Sequence, residues 1–133
     1  MEEGIVLKKS AVHTGPPATG APYSPGIIAG DLVFVSGQVP LDPETKKLAA
    51  GGFEDHVRQC IKNIESILVA AGTDLAHVVK VTIFLKDLNN FGRLNSVYAD
   101  YWGDARPARS CVEVARLPLD VDVEIEAIAV LPS

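Results

Sequence analysis

Between Val121 and Ala129 apolar and acidic residues alternate, and no other run constrains the fold as much. Successive strand residues point to opposite sides. Val121, Val123, Ile125, Ala127 and Ala129 therefore form one row, and Asp122, Glu124 and Glu126 the other. Upstream, Ala108 to Val114 reads as a second strand with Arg109 near its head. There Ser110, Val112 and Val114 are the less polar row, opposite Arg109, Cys111 and Glu113. If both less polar rows cover one core, Arg109 and Glu124 lie together on the opposite face. An arginine among carboxylates, on a face that also carries small or apolar side chains, is a candidate anion site. The spacing leaves open a second reading, a solvated polar face with a salt bridge.

The remaining elements follow from periodicity and breakers. Ile5 to Lys8 reads as a short edge strand. Thr14 to Gly26 holds Gly15, Pro16, Pro17, Gly20, Pro22, Pro25 and Gly26, a composition that demands a loop. Tyr23, a large ring between prolines, suits an ordered loop laid over a pocket, with a mobile linker as the alternative. Ile27–Ile28 and Leu32 to Ser36 flank Ala29–Gly30–Asp31 and predict a hairpin. Val57, Ile61, Ile64, Leu68 and Ala71 recur at steps of four and three, so a helix is expected there, stopped by Gly72. Val78 to Leu85 is a β-branched, apolar strand whose two faces both call for burial. A second helix is expected from about Asn90 to Trp102, with Phe91, Leu94, Tyr98 and Tyr101 on its inner stripe. The order β-β-β-α-β-α-β-β predicts an α+β domain spanning residues 1–133, with a mixed sheet and two helices on one face. The other face stays uncovered, which favours self-association.

Chemistry is narrowed by what the sequence lacks. A net charge of −5 and a pI near 5.1 argue against a nucleic-acid partner. The N-terminal MEEGIVLKKS does not fit a signal peptide, and no apolar run approaches the ~20 residues needed to cross a bilayer, so a cytoplasmic location is expected. Cys60 and Cys111 have no spacing that suggests metal, redox or disulfide chemistry. His13, His56 and His77 stand in unrelated contexts, and His56 and His77 are expected at the surface. No nucleophile–base arrangement, metal-ligand spacing or phosphate loop is readable, so an enzyme of this sequence is expected to work without metal or organic cofactor. Cys111 reads as a packing residue. What remains is electrostatic. Arg109 can grip a carboxylate through two parallel hydrogen bonds, and Glu124 can hold or activate a water.

The stretch PARSCVEVARLPLDVDVEIEAIA, from Pro107 to Ala129, closely resembles the signature of the Rid family, the reactive intermediate deaminases also called the YjgF family. The resemblance extends to the Gly20–Ala21–Pro22–Tyr23–Ser24 loop, the Val35–Ser36–Gly37–Gln38–Val39 run and the Asp87–Leu88–Asn89–Asn90–Phe91 turn, nearly the whole chain. It implies a chorismate-mutase-like homotrimer with sites in clefts between subunits. It implies hydrolysis of 2-imino and enamine acids (2-aminoacrylate, 2-iminobutanoate, 2-iminopropanoate), supplied by pyridoxal-phosphate-dependent dehydratases, to 2-oxo acids and ammonia. Carried over by position, Arg109 grips the substrate carboxylate and the backbone N–H of Cys111 supports it. Glu124 positions water, and Tyr23, Ser36, Gly37 and Asn95 line the pocket. Two positions depart from the family pattern. The Gly103–Arg106 link is short and adds Arg106, and Leu119 stands where lysine is often seen. Both bear on substrate preference. A non-enzymatic trimeric module that binds small carboxylates is the chief rival reading, distinguished by Glu124, since a pure anion binder has no use for a carboxylate at that place. An RNA-cleaving reading, attached to relatives, fits the acidic charge poorly.

Overall fold

The computed structural model describes residues 8–14 and 21–133. Its strands are β1 Lys9–Val12, β2 Gly26–Ala29, β3 Leu32–Gln38, β4 Val78–Leu85, β5 Ala108–Glu113 and β6 Val123–Val130. Two helices, α1 Phe53–Ala71 and α2 Phe91–Trp102, lie between β3 and β4 and between β4 and β5. The six strands form one mixed sheet in the order β1-β2-β3-β6-β4-β5, with β4 and β5 parallel and the other pairs antiparallel. The expected α+β order holds. The strand expected at Ile5 to Lys8 lies almost wholly outside the described residues, and the first described strand begins at Lys9.

The alternating run forms the centre of the sheet. Val123, Ile125, Ala127 and Ala129 of β6 are buried, while Glu124, Glu126, Ile128 and Val130 are only partly covered. β4 alternates in the same way, so only one of its faces is fully buried within the chain. Against this buried face α1 lays Val57, Cys60, Ile61, Ile64 and Leu68, all fully buried. At its start the Asp55 carboxylate accepts the Gly52 N–H at 3.1 Å. At its end Gly72 takes φ +93°, a left-handed turn that favours glycine and releases the chain towards β4.

α2 is rotated from the expected stripe. Leu94, Val97, Tyr98 and Trp102 are its buried residues, while Phe91 is 40% exposed and Tyr101 partly covered. Trp102 takes the inner place because its indole Nε1–H donates to the Leu75 carbonyl at 2.9 Å, so the large ring is buried without an unpaired donor. Arg93 ties α2 to α1 with Nε and Nη2 donating to the two carboxylate oxygens of Glu54 at 3.0 and 2.7 Å. These bonds hold the Glu54 carboxyl down at about 2.

His56 is buried, not at the surface. Its Nδ1 lies 2.9 Å from Asp122 and its Nε2 lies 3.1 Å from the Ala49 carbonyl. The imidazole thus joins α1 to the segment leading into β6 and to the loop before the helix. Its partner is 66 residues away in the chain, beyond any local pattern. We expect His56→Ala to cost about 1–3 kcal/mol, because it leaves Asp122 and a carbonyl short of a partner. The check is the urea midpoint at constant m-value, and an unchanged midpoint would mean the contact carries no stability.

Candidate active site

Strand register decides which site residues meet. Arg109 lies opposite Val81 and Cys111 opposite Ile83, while Glu124 lies opposite Phe84. Val81 and Ile83 face the helices, and Phe84 faces away. Within one chain, then, Arg109 and Glu124 occupy opposite faces of the sheet. This corrects the shared face read from polarity. β5 is a short edge strand in which neither row is strongly apolar. Its register with β4 puts the long arginine stem and Cys111 under α2, and leaves Ser110 and Val112 exposed.

The first cluster is built on α2 and β5. Arg109 Nη1 donates to Asn95 Oδ1 at 2.8 Å. The guanidinium carbon lies 4.8 Å from the Tyr98 ring centre and 5.3 Å from that of Phe91. Among the described residues no carboxylate pairs with Arg109. Its remaining N–H groups form a planar fork suited to an outside carboxylate. Cys111 is half-buried in the same row. Burial pushes its thiol up, and the nearby Arg109 charge partly opposes this.

The second cluster lies on the open face and its rim. β3 and β6 change register between Val35 and Gln38, so Ser36 and Gly37 together oppose a single residue of β6. Such a bulge re-aims the groups it carries. Ser36 Oγ donates to the Ser24 carbonyl at 2.6 Å, and Ser36 N–H to the Pro25 carbonyl at 2.9 Å. These bonds fasten the end of the Tyr23 loop to β3. A side chain on Gly37 would overlap Glu124 Oε2, so glycine here lets the carboxylate lie against the strand. Burial, and then the charge of Glu126, raise the Glu124 carboxyl above its ordinary value. Among the described residues Glu124 makes no ion pair. Tyr23 is 69% exposed and shares with Gly37, Gln38 and Asn63 a hollow of about 420 Å³. A second hollow, about 340 Å³, lies on the open face between Phe34, Ser36, Lys80, Thr82 and Glu126. Neither hollow reaches Arg109.

The expected site residues therefore fall into two groups: Arg109, Asn95 and Cys111 at one edge, and Ser36, Gly37, Glu124 and Tyr23 around the bulge. Sequence reasoning missed Phe91 and Tyr98 as partners of Arg109. Their spacing with Asn95, at i, i+4 and i+7 on one helix, was the available signal. It also missed Glu126 as the second charge acting on Glu124. Among the described residues no cluster of His, Cys, Asp or Glu could hold a metal ion, and no helix is long and apolar enough to cross a membrane.

Three comparisons bear on this arrangement. A family described as Endoribonuclease L-PSP matches residues 14–131. A RutC family protein of Pyrococcus horikoshii is 51% identical, over 92% of this chain and 98% of that protein. A protein of Salmonella typhimurium named 2-iminobutanoate/2-iminopropanoate deaminase is 43% identical, over 93% and 98%. Among solved structures, Escherichia coli TdcF with bound serine superposes with a TM-score of 0.84 at 40% identity, covering 92% of this chain and 99% of that one.

Proposed function

The chain belongs to the Rid (YjgF) family, and we propose that it hydrolyses reactive 2-imino and enamine acids to 2-oxo acids and ammonia. The observation that carries this reading is a pair of groups: a guanidinium fork that has no carboxylate partner among the described residues, and a half-buried carboxylate held at a strand bulge. Because the two lie on opposite faces of one sheet, a working site joins Arg109 of one copy to Glu124 of the next. The partly apolar open face, carrying Ile27, Phe34, Phe84 and Ile128, supplies a surface for a homotrimer.

In this reading Arg109 binds the substrate carboxylate, with the Cys111 N–H beside it. An enamine first tautomerises to the imine. Water adds its oxygen to C2, and the C=N π pair moves to nitrogen. Glu124 takes a proton from the adding water and passes it to nitrogen, giving the carbinolamine. It then takes the hydroxyl proton and passes it to the amine, the C=O bond forms as the C–N pair leaves with nitrogen, and ammonia departs from the 2-oxo acid. All of this uses side chains and backbone alone. The substrates are of the kind that pyridoxal-phosphate-dependent dehydratases release. The name of the Salmonella relative and the serine held by TdcF, a small amino acid with a carboxylate, support the substrate class. An anion-binding module without catalysis would share Arg109 but gives no role to Glu124.

Subunit mixing tests the reading. Arg109→Ala and Glu124→Gln proteins are each expected to be nearly inactive in an assay coupled to threonine dehydratase. Unfolded and refolded together in equal amounts, they should regain about a quarter of wild-type turnover, because random trimers place an intact arginine against an intact glutamate at that fraction of interfaces. Light scattering should give about three times 14.1 kDa. A monomer, or no recovery on mixing, would defeat the shared site.

A further inference from the structure

We propose that Phe91 and Tyr98 are positioning residues that fix the plane of the Arg109 guanidinium, and that Asn95 orients the same group within that plane. The proposal rests on the reading of Arg109 as carboxylate anchor and adds how its direction is set.

Phe91, Asn95 and Tyr98 stand on one face of α2. The ring centres at 4.8 and 5.3 Å lie within the range where an aromatic quadrupole attracts a cation. Rings at this distance can engage the faces of a guanidinium and leave its in-plane N–H groups free. Asn95 Oδ1 accepts one of them at 2.8 Å, which removes rotation within the plane. The platform is itself braced. Tyr98 packs on Trp102 with ring centres 5.0 Å apart, and Trp102 is pinned to the Leu75 carbonyl. The buried Tyr98 hydroxyl has no hydrogen-bond partner among the described residues, so the ring and not the hydroxyl is what this position supplies to Arg109. Phe91 is 40% exposed, so a substitution there disturbs little of the core.

Phe91→Leu keeps an apolar side chain at this half-open place and removes the π face. Its affinity for 2-oxobutanoate, measured by calorimetry, should fall about three- to fivefold, with KM in the coupled assay rising alike and kcat within about twofold. Asn95→Asp should weaken affinity by about tenfold or more, because a carboxylate there competes for the fork. Phe91→Trp should restore affinity. In each protein the Arg109 Nε–H signal is followed by NMR. In Phe91→Leu its ring-current shift should shrink and its order parameter fall. Wild-type affinity and an unchanged order parameter in Phe91→Leu would reduce the ring to packing and overturn the proposal. If the wild-type protein neither binds 2-oxobutanoate nor turns over imine, the deaminase reading fails, and the NMR readout alone then decides the positioning role.

Discussion

Arg109→Lys should lose most deaminase turnover while remaining folded. The expected loss of transition-state binding is about 2–4 kcal/mol in kcat/KM, in range for one charged, partly buried contact. The structure gives the reason in three parts. An ammonium cannot offer two parallel N–H groups to a carboxylate. It has no flat face to lie on Phe91 and Tyr98. And if it donates to Asn95, its charge sits off the axis along which a planar fork would present itself. Little stability should be lost, since Arg109 lies at a sheet edge and pairs with no carboxylate among the described residues. Turnover like wild type in a folded Arg109→Lys protein would remove the anchor from the mechanism.

Glu124→Gln should separate catalysis, binding and stability. Amide for carboxylate keeps the shape but cannot take a proton, so kcat should fall on the order of a hundredfold or more. Affinity for 2-oxobutanoate, carried by Arg109, should stay within about twofold. Stability should move the other way. The folded carboxyl is raised by burial and by Glu126. A raised carboxyl disfavours the ionised folded state, so what Glu124 contributes is fully present below its unfolded value of 4.5 and is lost as pH rises through the folded value. At pH 7 the wild-type protein therefore carries a small cost that the amide lacks. The variant should melt slightly higher at pH 7, and the two curves should converge near pH 4. A variant that melts lower at pH 7 would mean that the carboxylate is a structural partner. Unchanged turnover would favour water placed by backbone groups alone.

The sequence disclosed the elements better than their facing. β6 was legible because its alternation is strict and it lies mid-sheet with one buried face. α1 was legible because its apolar steps end at a glycine. β5 was not, because Ala108 to Glu113 offers no apolar row strong enough to choose a face, and the choice is made by register with β4. An arginine lying on aromatic rings looks polar in any hydrophobicity pattern, so its burial on the helix side leaves no trace there. The His56–Asp122 contact was hidden for the same kind of reason: two polar residues far apart in sequence satisfy one another. The distribution of the candidate residues over two faces was not legible either, because it too follows from the β4–β5 and β4–β6 registers.

The place of β6 also bears on how the chain is made. The last strand synthesised is the one that joins β3 to β4. Until it is available, the β1–β3 meander and the β4–α2–β5 unit have no shared ladder. Pairing Val33 with Ala129 closes a loop that spans most of the chain, so the folding rate should be set by that late, non-local event and not by the helices. On the ribosome the two halves are expected to wait with apolar edges open until β6 clears the exit tunnel. A chain ending before Val123 is thus expected to be degraded or held by chaperones, even though it retains Arg109 and both helices.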